Sequence, residues 1–315
     1  MGAYVFPTDT EWAAFLRARP DLDEVNFWLP STVTFKALQA GERFLFKSKA
    51  KAGGRLIGGG LFSGHVTMRV SETWAIYGEG NGCDSPGQLL KRINLYRARN
   101  KQEPDPDPTI GCILLRDSFF VEPDDELPVP STYPGSAVRG RGYSADNGEW
   151  SYIEEAFAQM LLSANVPILH PDSDAASFID GPTRGEPRLF IPRVGQKGFK
   201  SLVLSSYHHR CAISGAKITP TLQAAHIRPV SEGGEHRVDN GMLLRSDVHI
   251  LFDAGYLGID DHHRLQVSPR LRSDFGNGDE FYSKSGEVID LPDRKVDRPD
   301  KDATMWHMDT IFRAS

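Results

Sequence analysis

Three polar residues in the stretch LQAAHIRPVSEGGEHRVDNGMLLRSDVHILFDAGY, residues 222 to 256, stand where they could act together. His226 ends an apolar run, Asn240 follows fourteen positions later, and His249 comes nine beyond that. A neutral imidazole near pH 7 has the right strength to take a proton from water. His249 and Asp253 are spaced i, i+4, so on a helix they would lie one above the other on a single face. A nitrogen and an oxygen donor so placed suit one Mg2+, Mn2+ or Zn2+ ion; a hydrogen bond along the helix face is the plainer alternative. An ion opposite the base would offset charge growing on a phosphate oxygen. The Asn240 amide could hold the histidine's tautomer or fix the loop. The chemistry such an assembly performs is cleavage of a phosphodiester.

The surrounding residues supply elements to position these groups. TLQAAHIRPV reads as a strand that Pro229 stops, SEGGEHRVDNG as a polar loop, and MLLRS as a second strand. SDVHILFDAGY reads as a helix opened by Ser246 or Asp247 and closed by Gly255. The order is therefore strand, loop, strand, helix. If the strands form a hairpin on the helix, all four groups converge on one side.

These residues resemble the HNH nucleases of the ββα-metal fold, in the branch marked by AAHIRP, GG, VDNG, LLRSDVH and LFDAGY. The resemblance covers roughly residues 188–260. It implies that His226 is the general base and Asn240 an orienting residue, with His249 and Asp253 as metal ligands and His249 counted among the catalytic set. The implied cofactor is Mg2+ or Mn2+, with Zn2+, Ni2+ or Co2+ as substitutes. Many relatives carry a ligand immediately before the base, where this chain has Ala225. Paired CxxC knuckles are missing too, so no structural zinc is expected and Cys211 reads as a small buried residue. Arg228 and Arg245 flank the site as candidates for DNA phosphate contact or as ordinary solvated arginines. His208, His209, His236, His262 and His263 read as surface or packing residues.

The expected organisation is α+β: a domain over residues 1–125, a connector with one helix over 126–185, and the nuclease domain over 186–315. TDTEWAAFLRA and SPGQLLKRINLYRARN read as helices, and VNFWLP, RFLFKS, RLIGGGLFSGHVTM and TIGCILLRDSFFV as strands. Gly58–Gly60 reads as a bulge or a close backbone approach, because no Lys-Ser/Thr pair follows to make a phosphate cradle. The connector is rich in Pro, Gly, Ser and Asp, with SYIEEAFAQMLLSA as its helix. NFWLP and LQAGERFLFKS make the first domain similar to PUA-like barrels of the EVE/ASCH kind. That likeness implies a pocket for a base flipped out of the helix. Asn26, Phe27, Trp28, Phe62 and Trp74 are its candidate lining, helped by Lys47 and Ser48. The alternative is that these aromatics are core.

Composition agrees with a nucleic-acid substrate only locally. The net charge is −6. Residues 183–250, however, hold ten Lys/Arg against five Asp/Glu, and a cationic stretch on an anionic body suits a polyanion. Three scattered cysteines argue for a reducing compartment. No run approaches the roughly 18 apolar residues of a membrane span, and the early acids do not read as a signal peptide. The expectation is a cytoplasmic, metal-dependent DNA endonuclease that reads a methylated or hydroxymethylated base in double-stranded DNA. Cutting both strands with one site per chain implies a homodimer. The alternatives are a nuclease directed to phosphorothioate or unmodified DNA or to RNA, and a non-catalytic nucleic-acid-binding protein.

Overall fold

The computed structural model describes residues 2–49, 54–134, 139–146, 148–164 and 195–314. The chain divides into two units, residues 1–64 with 68–192, and residues 193–315 with 65–67. Both mix helices and strands, an α+β arrangement. No helix among the described residues is long and apolar enough to cross a membrane.

The first unit runs β1 (Gly2–Pro7), α1 (Thr10–Arg17), β2 (Val25–Leu29), β3 (Arg43–Lys47), β4 (Arg55–Arg69), α2 (Val70–Tyr77), α3 (Pro86–Arg99), β5 (Thr109–Phe120), β6 (Leu127–Pro128), β7 (Arg141–Ser144) and α4 (Trp150–Ser163). Local chemistry sets the helix starts. The Asp9 carboxylate accepts the N–H groups of Glu11 and Trp12 at 3.1 Å each, and the Ser85 hydroxyl accepts that of Gln88 ahead of Pro86. The strands form one sheet in the order β2-β5-β4-β3-β1-β7, with β6 paired to β4. β1 lies parallel to β3 and antiparallel to β7. Register shifts between Phe46 and Lys47, opposite the glycine run of β4, as a bulge there requires.

Both sheet faces are covered, so β3 reads as continuous apolar sequence. Phe44, Leu45 and Phe46 are all fully buried. On one side Phe6, Trp12, Phe27, Phe44 and Phe46 form an aromatic cluster with ring centroids 5.0–6.3 Å apart. On the other, Ile153, Ala156, Phe157 and Met160 of α4 join Val5, Leu45 and Phe119 in one core. This corrects the expectation of a connector beginning at 126. β6, β7 and α4 are parts of the first unit, because the i, i+3, i+4, i+7 stripe of α4 must be buried somewhere. Residues 165–185, and the expected boundary at 186, lie outside the described residues.

The second unit runs α5 (Gln196–Ser206), β8 (Leu222–His226), β9 (Gly241–Arg245), α6 (Ser246–Asp253), β10 (Leu257–Ile259), β11 (Leu265–Val267), α7 (Arg270–Phe275), α8 (Asp279–Tyr282) and α9 (Lys301–Thr310). β8 and β9 pair antiparallel, Ala225 facing Met242 and His226 facing Gly241. Leu222, Ala225, Met242, Leu243 and Leu244 bury the hairpin among Phe199 and Val203 of α5 and Val248 and Phe252 of α6.

Candidate active site

His226 occupies the last position of β8, where the strand leaves the core. Its ring lies flat on Phe199, with centroids 4.2 Å apart and planes 8° from parallel. Its Nε2 is 3.0 Å from Nδ1 of His236. No Nδ1 partner is present among the described residues, so this nitrogen has an unused position. Burial, reinforced by His236 and His249, pushes the His226 imidazole down to about 4. The ring is therefore neutral near pH 7, as a proton acceptor must be.

Gly241 makes the stack possible. A Cβ there would come within 2.7 Å of both Phe199 Cε2 and Val203 Cγ2, closer than real side chains approach. With glycine opposite His226, α5 sits tightly under the strand end and Phe199 reaches the imidazole.

Asn240 does not touch the His226 side chain. Its Oδ1 accepts from the Arg228 N–H at 2.9 Å, and its Nδ2 donates at 2.9 Å to the carbonyls of Arg228 and of Glu235. Of the two roles read from the sequence, the amide takes that of fixing the loop. Its own backbone carbonyl accepts the Ile227 N–H, so strand end and loop are clamped together. Glu235, so held, directly precedes His236.

His249 and Asp253 lie on the same face of α6 as expected, with His249 Nε2 3.3 Å from Asp253 Oδ2. His249 Nδ1 is 2.7 Å from the Gln223 amide oxygen. An amide oxygen only accepts, so Nδ1 carries a proton and Nε2 is the nitrogen that faces the carboxylate. A histidine that ligates a metal is commonly arranged this way. Burial raises the Asp253 carboxyl above its usual range, and His249 beside it draws it partly back. The donor set fits a divalent ion held by two protein atoms. Among the described residues no group of three or more His, Cys, Asp or Glu converges to hold one. Ala225, fully buried, offers nothing.

α6 opens differently from expectation. Arg245 is its N-cap residue and makes no side-chain cap. Instead its guanidinium grips Asp247 at 2.6 and 2.7 Å and reaches Glu280 at 3.2 Å. The helix closes with Gly255 at φ 76°, the N–H groups of Gly255 and Tyr256 returning to the carbonyls of Phe252 and Leu251. From α9, His307 stacks on Phe252 at 3.8 Å and donates Nε2–H to the Phe252 carbonyl at 3.0 Å. Burial holds His307 down to about 4.

The two candidate phosphate contacts are engaged within the protein. Arg245 has its two acids, while Arg228 donates to the Glu232 carbonyl and lies over the Trp306 ring. Arg237 is paired with Asp239, and Arg210 with Asp290, so much of the local cationic excess is met by nearby carboxylates. Cys211 is buried, its sulfur accepting the N–H groups of Ser214 and Arg245.

The candidate base pocket is not assembled as expected. Consecutive strand residues point to opposite faces, which splits the set. Phe27 enters the aromatic cluster with Phe6 and Trp12. Asn26 and Trp28 face the other way, donating to Asn81 Oδ1 and to the Asn81 carbonyl. Phe62 packs on Phe35, and Trp74 is half-buried on α2. Lys47 is buried, its ammonium on the Ser48 carbonyl. Asn26, Phe27, Trp28 and Phe62 are core.

Sequence reasoning missed three site residues, namely Phe199, Gln223 and His236. His236 had a signal, because two glycines before it let the loop return to the strand end. Phe199 and Gln223 had none beyond ordinary core and surface patterns.

Residues 211–260 match the HNH endonuclease family. No curated protein matches the chain. Among solved structures, similarity is found to a modification dependent TagI restriction endonuclease, at 24% identity and TM-score 0.27 over 39% of each chain. It is also found to ASCH from Zymomonas mobilis, at 12% identity and TM-score 0.34, covering 49% of this chain and 94% of that one. A mutant form of that protein gives 13% identity and TM-score 0.33 over 49% and 96%. This chain thus spans well under half of the restriction endonuclease it resembles. The stretch that matches the HNH endonuclease family, Cys211 to Asp260, holds His226, Asn240, His249 and Asp253.

Proposed function

We propose that the protein is a metal-dependent DNA endonuclease whose first unit reads a methylated or hydroxymethylated base and whose second unit cuts. The observation that carries the proposal is the division of labour around the β8–β9 hairpin. A neutral, stacked imidazole with one unused nitrogen stands at the strand end, and a second imidazole with its Nε2 toward a carboxylate stands on the helix packed against it.

Nδ1 of His226 takes a proton from water as the water oxygen attacks phosphorus, and the opposite phosphorus–oxygen bond breaks. Phe199 keeps the ring from turning out of line, and Asn240 holds the loop that carries His236. His249 Nε2 and Asp253 Oδ2 would hold Mg2+ or Mn2+, which when bound would offset phosphate charge and steady the leaving oxygen. On the first unit, α3 and the residue pair beyond it carry Lys91, Arg97, Arg99 and Lys101 with no acid in the same segment, which supports a role in docking DNA backbone. One site per chain calls for two copies to cut both strands.

The test is cleavage of plasmid carrying or lacking defined methyl and hydroxymethyl marks, with Mn2+ and with EDTA. His226→Ala is expected to lower cleavage by about 10²–10⁴-fold while DNA binding persists. Cleavage by that variant at the wild-type rate, or by wild type in EDTA, would exclude this mechanism.

A further inference from the structure

We infer that His236 is a positioning residue for the reaction, fixing the proton of His226 on Nε2 so that Nδ1 keeps the lone pair that accepts a proton from water. The inference rests on the nuclease reading above and assigns a role to a residue outside the HNH triad.

The two ring nitrogens are 3.0 Å apart, so one of them donates. If His236 Nδ1–H donated, His226 would have to accept at Nε2 and carry its proton on Nδ1. The unused nitrogen would then be a donor, and the base would be lost. His226 would also be in the less common tautomer of neutral histidine. If His226 Nε2–H donates, that ring takes the more common tautomer and its Nδ1 is left bare.

The rest of the geometry holds this choice. Phe199 lies under the His226 ring at 4.2 Å and within 5.8 Å of His236, restricting rotation of the first ring about its own axis. Asn240 ties the carbonyl of Glu235, the residue before His236, to the strand end at Arg228. An acceptor is therefore delivered to Nε2 by a loop whose path is fixed at both ends. His236 touches neither water nor phosphate in this role, and acts through the orientation of His226.

The test uses the full chain. Asn places an amide oxygen where His236 has Nδ1, whereas Leu keeps the bulk without an acceptor. His236→Leu is expected to lower kcat by about 10²-fold with KM for DNA little changed, and His236→Asn to restore most of it. A ring-nitrogen NMR correlation, assigned by difference from His226→Gln, should show His226 protonated on Nε2 in wild type and shifted toward a tautomer mixture in His236→Leu. Protonation on Nδ1 in wild type, a tautomer unmoved by His236→Leu, or wild-type kcat in that variant would overturn the inference. The tautomer measurement needs no cleavage, so a wild-type protein that cuts no DNA would refute the nuclease reading, separately from the hydrogen bond itself.

Discussion

Each unit contains a buried asparagine whose amide N–H groups are engaged, and the two serve opposite ends. Asn26, in the sheet of the first unit, donates to the side chains of Asn81 and Cys112, and Asn81 in turn donates to the backbone of Thr73 and Gly78. That network lies within the fold and leaves Asn26 Oδ1 buried without a hydrogen bond among the described residues. Asn240 bonds only to backbone, at both ends of the loop between β8 and β9. Its product is a shape that brings His236 to His226. The first arrangement commits its polar groups to the fold, while the second uses one polar group to leave another, His226 Nδ1, available.

Several measurements would break or sharpen this contrast. The largest effect is expected where the second unit offers atoms it does not use internally. Asp253→Asn should reduce cleavage by more than the roughly 10–100-fold typical of losing an outer-shell partner, and should raise the Mn2+ needed for half-maximal rate. The asparagines themselves come next. Asn240→Ala should cost about 1–3 kcal/mol in denaturant unfolding and speed amide exchange across residues 228–240, with cleavage falling as well. Asn26→Ala should cost a comparable amount of stability while the folded fraction cuts at the wild-type rate. Equal kinetic damage from both would erase the distinction.

A smaller and pH-dependent effect belongs to His307. Its folded value is about 4, below the unfolded value of about 6.5, so the unfolded chain protonates first as pH falls. The stability tied to its neutral state is complete above about pH 6.5 and is lost on descending to about pH 4, on the order of 3 kcal/mol in all. Replacing His307 by Leu should flatten the unfolding free energy across that window, as followed by urea titration at several pH values. The smallest effect concerns docking. Lys91→Ala with Lys101→Ala should weaken DNA binding and reduce the slope of log affinity against log salt by about one per lost phosphate contact.

Much of this architecture is legible in the sequence, and the gaps have physical causes. Strands β2 to β5 and the hairpin β8–β9 announce themselves through apolar runs bounded by turn residues, and α1 and α3 through Asp9 and Ser85. β1 gives no such sign, because a parallel pairing with β3 leaves no turn signal between the partners. β6 and β7, of two and four residues, are too short to show a period. The site is legible where spacing encodes geometry, as with His249 and Asp253 on one helix. It is illegible where geometry comes from a loop's return, as with His236. The expected aromatic pocket conflicts with a rule the sequence does carry, since neighbours in a strand such as Asn26, Phe27 and Trp28 cannot share a face.

The placement of β1 between β3 and β7 has a bearing on how the chain is made. Residues 2–7 are synthesised before their antiparallel partner, residues 141–144, which emerges only after most of the strands of the unit. Until then β1 presents an unpaired edge on the side that β7 will cover, a template for association with other nascent chains. Closure of the sheet therefore waits on translation, and a pause before residue 144 would lengthen the aggregation-prone interval.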